Sequence, residues 1–391
     1  MSPREFFALR GSLSPERKNR TLSDARQLLS LTTILNQTCL ADRLGELAGR
    51  SVLLAVADQL TSAIAITEID GVARRMLLCP PDAKADHFAA LIADAGIDAV
   101  VTDDQTKWTA SGIDLIVEAG ALSRANTPGQ TERPTEWLML TSGTSGAPKI
   151  VSHSLAGLTG AIVMDDIGRD APPVWATFYD IRRYGGLQIF LRAVIGGGSM
   201  VLSDPAESIS DYVARLRERG VTHISGTPSH WRKLLMSGAA ARFAPRYVRL
   251  SGEIADQAVL DGLKKQFPEA SIGHAYASTE AGVGFAVNDG LEGFPASLVG
   301  RRDGVEMKVE DGSLRIRSAR AAHAYIGRGA AALTDAEGFV DTGDMVELRG
   351  GAVDEVDDGI VEAGERDDLE VVTSRKALAK AKYLFAGPAA P

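Results

Sequence analysis

Short apolar runs and amphipathic stretches alternate along the chain from about Ser51. SVLLAVA at 51–57, MLLCP at 76–80 and DAVVT at 98–102 are uninterrupted enough to be strands buried on both faces. Between the last two, Phe88, Leu91, Ile92 and Ala95 recur at helical spacing, and Gly96 follows as a stop signal. The same alternation returns in DYVARLRERG before VTHISG, in PSHWRKLLMSG before RYVRLSG, and in ADQAVLDGLKKQF before ASIGHAY. Strands alternating with helices predict mainly parallel sheets covered by helices on both sides. After about Val287 the texture changes: period-two runs flank Asp311 and Gly312 in VGRRDGVEMKVEDGSLRIRS, which predicts a hairpin and a small antiparallel unit. Past Asp344, nine acidic residues between Asp354 and Glu370 read as a solvated surface or a partly disordered tail.

At 391 residues the chain exceeds what one core supports, so two or more packed units are expected. No stretch offers about 20 uninterrupted apolar residues, which argues against a membrane span. The amino terminus lacks the form of an export signal, and a cytoplasmic location is the expectation. A net charge of −9 disfavours nucleic acid and anionic membranes, while a local positive site can still hold a nucleotide. Cys39 and Cys79 have no thiol or histidine at ligand spacing and read as buried small hydrophobes, and the six histidines show no metal pattern.

The segment TSGTSGAPK from Thr141 to Lys149 combines hydroxyls, approachable backbone N–H groups and one mobile cation. It is not the common P-loop, because Gly143 and Gly146 are three apart and Pro148 precedes Lys149. TEWLML before it and IVSHSLAGL after it place it between a strand and a helix, where anion binding is favoured over a plain linker.

This loop resembles the signature of the acyl-adenylate-forming superfamily, which includes acyl-CoA and aryl-CoA synthetases. YASTEAG from Tyr276, SLVGRR from Ser297 and VDTGDMVEL from Val340 follow in the order the resemblance requires. The likeness runs from about Ser51 to Leu348. It implies an α/β fold with an adenylate-forming domain over 1–345, built of two βα-layered sheet subdomains to about residue 290 and a small distorted β-barrel at about 290–345; residues 346–391 stand apart as a remnant or atypical C-terminal segment, a truncated lid.

The resemblance also implies roles. The loop residues Thr141, Ser142, Gly143, Thr144, Ser145, Gly146 and Lys149 would wrap the β and γ phosphates of ATP. Tyr276 would lie against adenine, with Ala277 and Ser278 beside it, while Thr279 would place a hydroxyl near the α-phosphate. Glu280 would hold Mg2+, and Asp344 would accept the ribose hydroxyls. Ser251, Gly252 and Glu253 would line the adenine and acyl pockets. Such residue types suit attack of a carboxylate on the α-phosphate, which demands neutralised phosphate oxygens and exclusion of water. Thr279, Glu280 and Lys149 are the catalytic candidates.

For the acid, the segment FYDIRRYGGLQIF points to Tyr184, Gly185, Gly186 and Gln188. Arg182 and Arg183 read as a solvated loop pair, with steering of an anionic acid or of CoA phosphates as the alternative. Asp180 is the group that an amino-acid substrate would need, although the aromatic and apolar surroundings favour an aryl or aliphatic acid.

The resemblance further implies a swinging lid of about a hundred residues with a late lysine. Here 47 residues follow Asp344, Arg366 and Asp368 keep only the hinge's Arg-x-Asp spacing, and Lys376, Lys380 and Lys382 lack its context. Two readings follow. One is an enzyme that uses ATP, Mg2+ and CoA to activate a small carboxylic acid, with a carrier-protein thiol as the alternative acceptor. The other is a lid-deficient nucleotide-binding or partner-dependent subunit.

Overall fold

The computed structural model describes residues 8–12, 20–125, 133–141, 148–162, 172–301, 304–349 and 368–374. Three sheets organise them. The largest has eight strands in the spatial order Gly282–Val287, Ser271–Ser278, Tyr247–Ser251, His223–Gly226, Val174–Thr177, Ser199–Val201, Thr21–Ser23 and Leu28–Ser30. Its six inner strands run parallel and both edge strands run antiparallel. The second sheet has seven: Ala324–Ile326, Lys149–His153, Glu136–Thr141, Arg75–Leu78, Ser51–Ala55, Ala99–Thr102 and Leu115–Glu118. Its last five are parallel.

Alternation along each strand explains the layering. Val52 and Leu54 join one apolar core with Met76, Met139, Trp175 and Met200, so that core lies between the two large sheets. Leu53, Leu77, Val100 and Leu138 point the other way, onto the helix Phe88–Ala95 that the 3.6-residue spacing predicts and that ends at Gly96. Ala176, Val201, Ile224 and Val248 face a third core under the helices Ile209–Glu218, Pro228–Ser237 and Gln257–Gln266. The middle layer holds the helices Gln59–Ile69 and Tyr184–Ile195, which are buried nearly all round because a sheet covers each side. Side-chain caps set most helix starts: Asp58 accepts from Thr61 N, Ser208 from Asp211 N and Asp256 from Val259 N.

The third sheet is antiparallel throughout: Phe294–Pro295, Asp368–Ser374, Val340–Arg349, Ser313–Ser318 and Val305–Glu310. Its predicted hairpin turns at Asp311 and Gly312, both with positive φ (52° and 72°), as a two-residue turn matched to strand twist requires. The boundary expected at residue 345 cuts the continuous strand Val340–Arg349. Asp368–Ser374, expected to lie in a solvated tail, pairs with Asp344 to Arg349 instead, because an edge of unpaired backbone groups gains a full ladder there. Cys39 and Cys79 are both buried and free, as expected.

Candidate active site

Parallel strands put all their carboxyl ends on one edge, and loops leaving that edge make a crevice. In the largest sheet, Thr177 pairs with Ser225, Gly226 with Leu250, and Ser251 with Ala275, so four strand ends are level. From them emerge the loop Phe178–Arg183, the turn at Thr227, the segment Ser251-Gly252-Glu253, and the string from Tyr276 to Glu280.

On the side expected to take the nucleotide, the Tyr276 ring stacks on Phe285, with centroids 5.6 Å apart and planes 15° off parallel. Its hydroxyl donates to Asp344 Oδ2 at 2.6 Å, joining the first sheet to the third across 68 residues of sequence. Burial, and then the Asp344 carboxylate, push the Tyr276 phenol well above its usual range. Ala277 and Ser278 pair with Val283 and Gly282, and Ser278 Oγ accepts from Ala281 N at 2.9 Å. That tight turn carries Thr279 and Glu280, and the Glu280 carbonyl accepts from Ala322 N at 2.9 Å.

The Glu280 carboxylate meets the hydroxyl of Tyr325, whose phenol is pushed up to about 12 by burial and by that charge. Lys149 Nζ lies 5.0 Å from the centroid of the same ring, within cation–π range. Tyr325 therefore stands between the two candidates of opposite charge. It sits on Ala324–Ile326, paired to the strand that Lys149 opens. The sequence reading missed it; its one local signal is an aromatic inside the short run HAYIG. Thr141 and Lys149 face each other across an antiparallel pair and form the neck of the signature loop. Ser142, Gly143, Thr144, Ser145 and Gly146 lie outside the described residues.

Beneath this turn, His153 is 1% exposed, with the Thr279 backbone as a marginal polar neighbour of its ring. Burial depresses it to about 4, outweighing a weak opposite pull from the Thr279 backbone, so the ring is neutral. Its ring centroid is 5.7 Å from that of Tyr184.

The acid side differs from expectation. Tyr184, Gly186 and Gln188 open the helix of the middle layer and are buried. Gln188 Nε2 donates to the Leu158 carbonyl at 2.9 Å, the Tyr184 hydroxyl is buried without a partner, and a Cβ on Gly186 would stand 2.1 Å from the Asp180 carbonyl. Gly185 packs beside the Tyr179 ring. Tyr184, Gly186 and Gln188 thus pack at the joint between loop and helix, and Gly185 beside them is half-buried.

The open wall is made by Phe178, Tyr179, His230 and Glu253. Tyr179 Oη donates to the Ser251 carbonyl at 2.7 Å. His230 stacks on Phe178 at 5.3 Å, and its Nδ1 accepts from Thr227 N at 3.2 Å, which leaves the proton of the neutral ring on Nε2. Glu253 Oε2 accepts from Ser229 N at 2.9 Å and Ser229 Oγ at 2.6 Å. Burial works against the Glu253 charge, but those bonds win and the carboxyl lies below its usual range.

One further expectation is corrected. Arg182 is fully buried rather than solvated; of the pair, Arg183 is exposed, bonded to Asp82. Asp180 accepts from the Arg182 guanidinium. Among the described residues no three or more His, Cys, Asp or Glu side chains converge as a metal cluster.

The profile of the AMP-binding enzyme family matches residues 52–320, more than half of the sequence. The chain belongs to that family. A 2-succinylbenzoate–CoA ligase of Staphylococcus epidermidis is 26% identical over 230 residues, covering 54% of this chain and 46% of the relative. The match thus spans less than half the length of that relative. Among solved structures, an Escherichia coli MenE variant with bound OSB-AMS shares the fold, with TM-score 0.72 and 19% identity over 95% of this chain and 78% of its own. The Bacillus subtilis O-succinylbenzoate coenzyme A synthetase in complex with ATP and magnesium ion has TM-score 0.69 and 18% identity over 94% of this chain and 78% of its own. Membership of the AMP-binding family makes the carboxyl-end crevice the site to test, and no helix among the described residues is long and apolar enough to cross a membrane.

Proposed function

We propose that this AMP-binding protein uses ATP and Mg2+ to activate an aryl or aliphatic carboxylic acid as acyl-AMP, releasing pyrophosphate, and then passes the acyl group to CoA. The observation that supports it most is that Tyr276 bonds Asp344 while Tyr325 meets both Glu280 and Lys149, with groups drawn from three separate sheets. Adenine would lie against Tyr276, and Asp344, oriented by the Tyr276 hydroxyl, would accept from the ribose. Lys149 and the loop would neutralise phosphate oxygens, and Thr279 would donate to the α-phosphate. The acid's oxygen attacks the α-phosphorus as the bond to pyrophosphate breaks; the thiol then attacks the acyl carbon and AMP leaves.

A single carboxylate at Glu280 fits Mg2+, which is commonly held by one or two carboxylates with substrate phosphates and water. That ion would draw charge from the phosphate oxygens when bound. The expected location is cytoplasmic, and a carrier-protein thiol is the alternative acceptor. Acid-dependent exchange of labelled pyrophosphate into ATP, over a panel of acids, tests the first step. Silence with folded protein, together with tight ATP binding by calorimetry, would replace this reading with a nucleotide-binding subunit. Thioester trapping with CoA and with carrier protein separates the acceptors.

A further inference from the structure

We infer that Arg182 is a positioning residue: it clamps the loop Phe178–Arg183, the acid-side wall of the crevice, to the carboxyl end of the strand Ser51–Ala55 in the other large sheet. This rests on the reading that the acid occupies that side. The side chain of Arg182 is 0% exposed and that of Asp180 20%. The guanidinium divides its donors between two tasks. Nε donates to Asp180 Oδ1 at 2.7 Å and Nη2 to Asp180 Oδ2, closing a fork inside the loop. Nη1 donates to the carbonyls of Val56 and of Ala57, the latter at 2.8 Å, both just past the end of the strand.

A second tie runs in parallel. Gln59 Oε1 accepts from Ile181 N at 3.0 Å while its Nε2 donates to the Ser203 carbonyl at 2.6 Å. The loop has no slack between these ties. Arg182 N and Arg183 N both bond back to Asp180, and the Asp180 carbonyl lies against Gly186 so closely that no Cβ fits. What the loop presents is set by the clamp: Phe178 stacks on His230 and Tyr179 reaches the Ser251 carbonyl. The bond of Tyr276 to Asp344 and the contact of Lys149 with the Tyr325 ring are made by groups outside the clamp. Loss of the clamp therefore acts first on the acid wall, and reaches the other side through the Tyr179 bond to Ser251 while the Tyr276–Asp344 and Lys149–Tyr325 contacts keep their own groups.

The test combines amide hydrogen exchange with pyrophosphate exchange on the full chain, comparing wild type, R182A, R182K and Q59A. R182A is expected to speed amide exchange across Phe178–Arg183 at least tenfold while Ser271–Ser278 keeps its protection. Acid KM should rise at least tenfold with ATP KM within twofold, and free guanidinium should recover part of the loss. R182K should fall between, because one ammonium cannot bridge a carboxylate and two carbonyls in a fork. Q59A, which spares the guanidinium, should raise acid KM a few-fold, and with R182K it carries the comparison if R182A does not fold. Unchanged loop protection in both R182 and Q59 variants overturns the inference, as does a parallel rise of acid and ATP constants without rescue. Absence of acid-dependent exchange in wild type would instead overturn the proposed function, while loop protection would still decide the clamp.

Discussion

The two walls of the crevice are built on opposite plans. The wall proposed for the nucleotide brings single side chains from three sheets into partly exposed contacts, among them Tyr276 with Asp344 and Tyr325 with Lys149 and Glu280. The wall proposed for the acid combines His230 and Glu253 with one loop, Phe178–Arg183, whose shape is held by a buried ion pair and its flanking bonds. Groups that must meet a charged ligand cannot be saturated by the protein, whereas a loop that must only present a surface is best held from behind. Substitutions should accordingly separate function from stability on the first wall and merge them on the second.

The largest effect is expected on the acid wall. Arg182→Met leaves Asp180 without its partner in a largely desolvated place, and should cost about 3–5 kcal/mol of folding free energy by urea denaturation. A loss under about 1 kcal/mol would mean that water enters and the clamp is weak. Next comes pH. The unfolded pKa of a histidine is about 6.5, whereas burial holds His153 at about 4, so protonation favours the unfolded chain. Stability from this group is complete above pH 6.5 and is lost as pH falls toward 4, by about 3 kcal/mol in all. His153→Phe should remove that portion of the slope; identical slopes in the two proteins between pH 6.5 and 4 would show that His153 does not titrate as described.

On the nucleotide wall, Glu280→Ala should lower acid-dependent exchange at least about a hundredfold, a loss typical of one removed charge-stabilising group. Its unfolding free energy by urea denaturation should stay within about 0.5 kcal/mol of wild type, since a partly exposed carboxylate contributes little to the core. Equal loss of both would erase the contrast between the walls. The smallest effect belongs to Tyr276→Phe, which keeps the stack on Phe285 and removes one bond to a carboxylate. ATP affinity should fall by up to about tenfold, near 1.4 kcal/mol, measured by titration calorimetry. An unchanged affinity would mean that Asp344 is oriented by other groups.

Much of the architecture was legible in the chain itself. Continuous apolar runs marked Ser51–Ala55 and Ala99–Thr102, helical spacing marked Phe88–Ala95, and Asp311-Gly312 marked the hairpin. The ordered motifs also named Tyr276 and Asp344, which the fold joins, and Glu280 and Lys149, which it brings to one tyrosine. The acid wall was less legible. Tyr184 and Gln188 looked like pocket residues because nothing local distinguishes a helix start at a crevice from one packed between sheets. Arg182 and Arg183 are neighbours of one chemical type, yet one is buried and the other exposed.

What the sequence determined alone was the alternating elements from Ser51 on, the hairpin at Asp311-Gly312 and the residue types of the ordered motifs, since periodicity, turn chemistry and motif spacing are properties of neighbouring residues. The tertiary structure decided which side chains share a surface. Tyr325 became a site residue because its strand pairs beside Lys149. Asp368–Ser374 became part of a sheet because Val340–Arg349 offered an edge. Arg182 became a clamp because Val56 and Ala57, more than a hundred residues earlier, end a strand beside it. Such choices depend on distances through space between groups far apart in sequence, and burial then multiplies the strength of each polar contact.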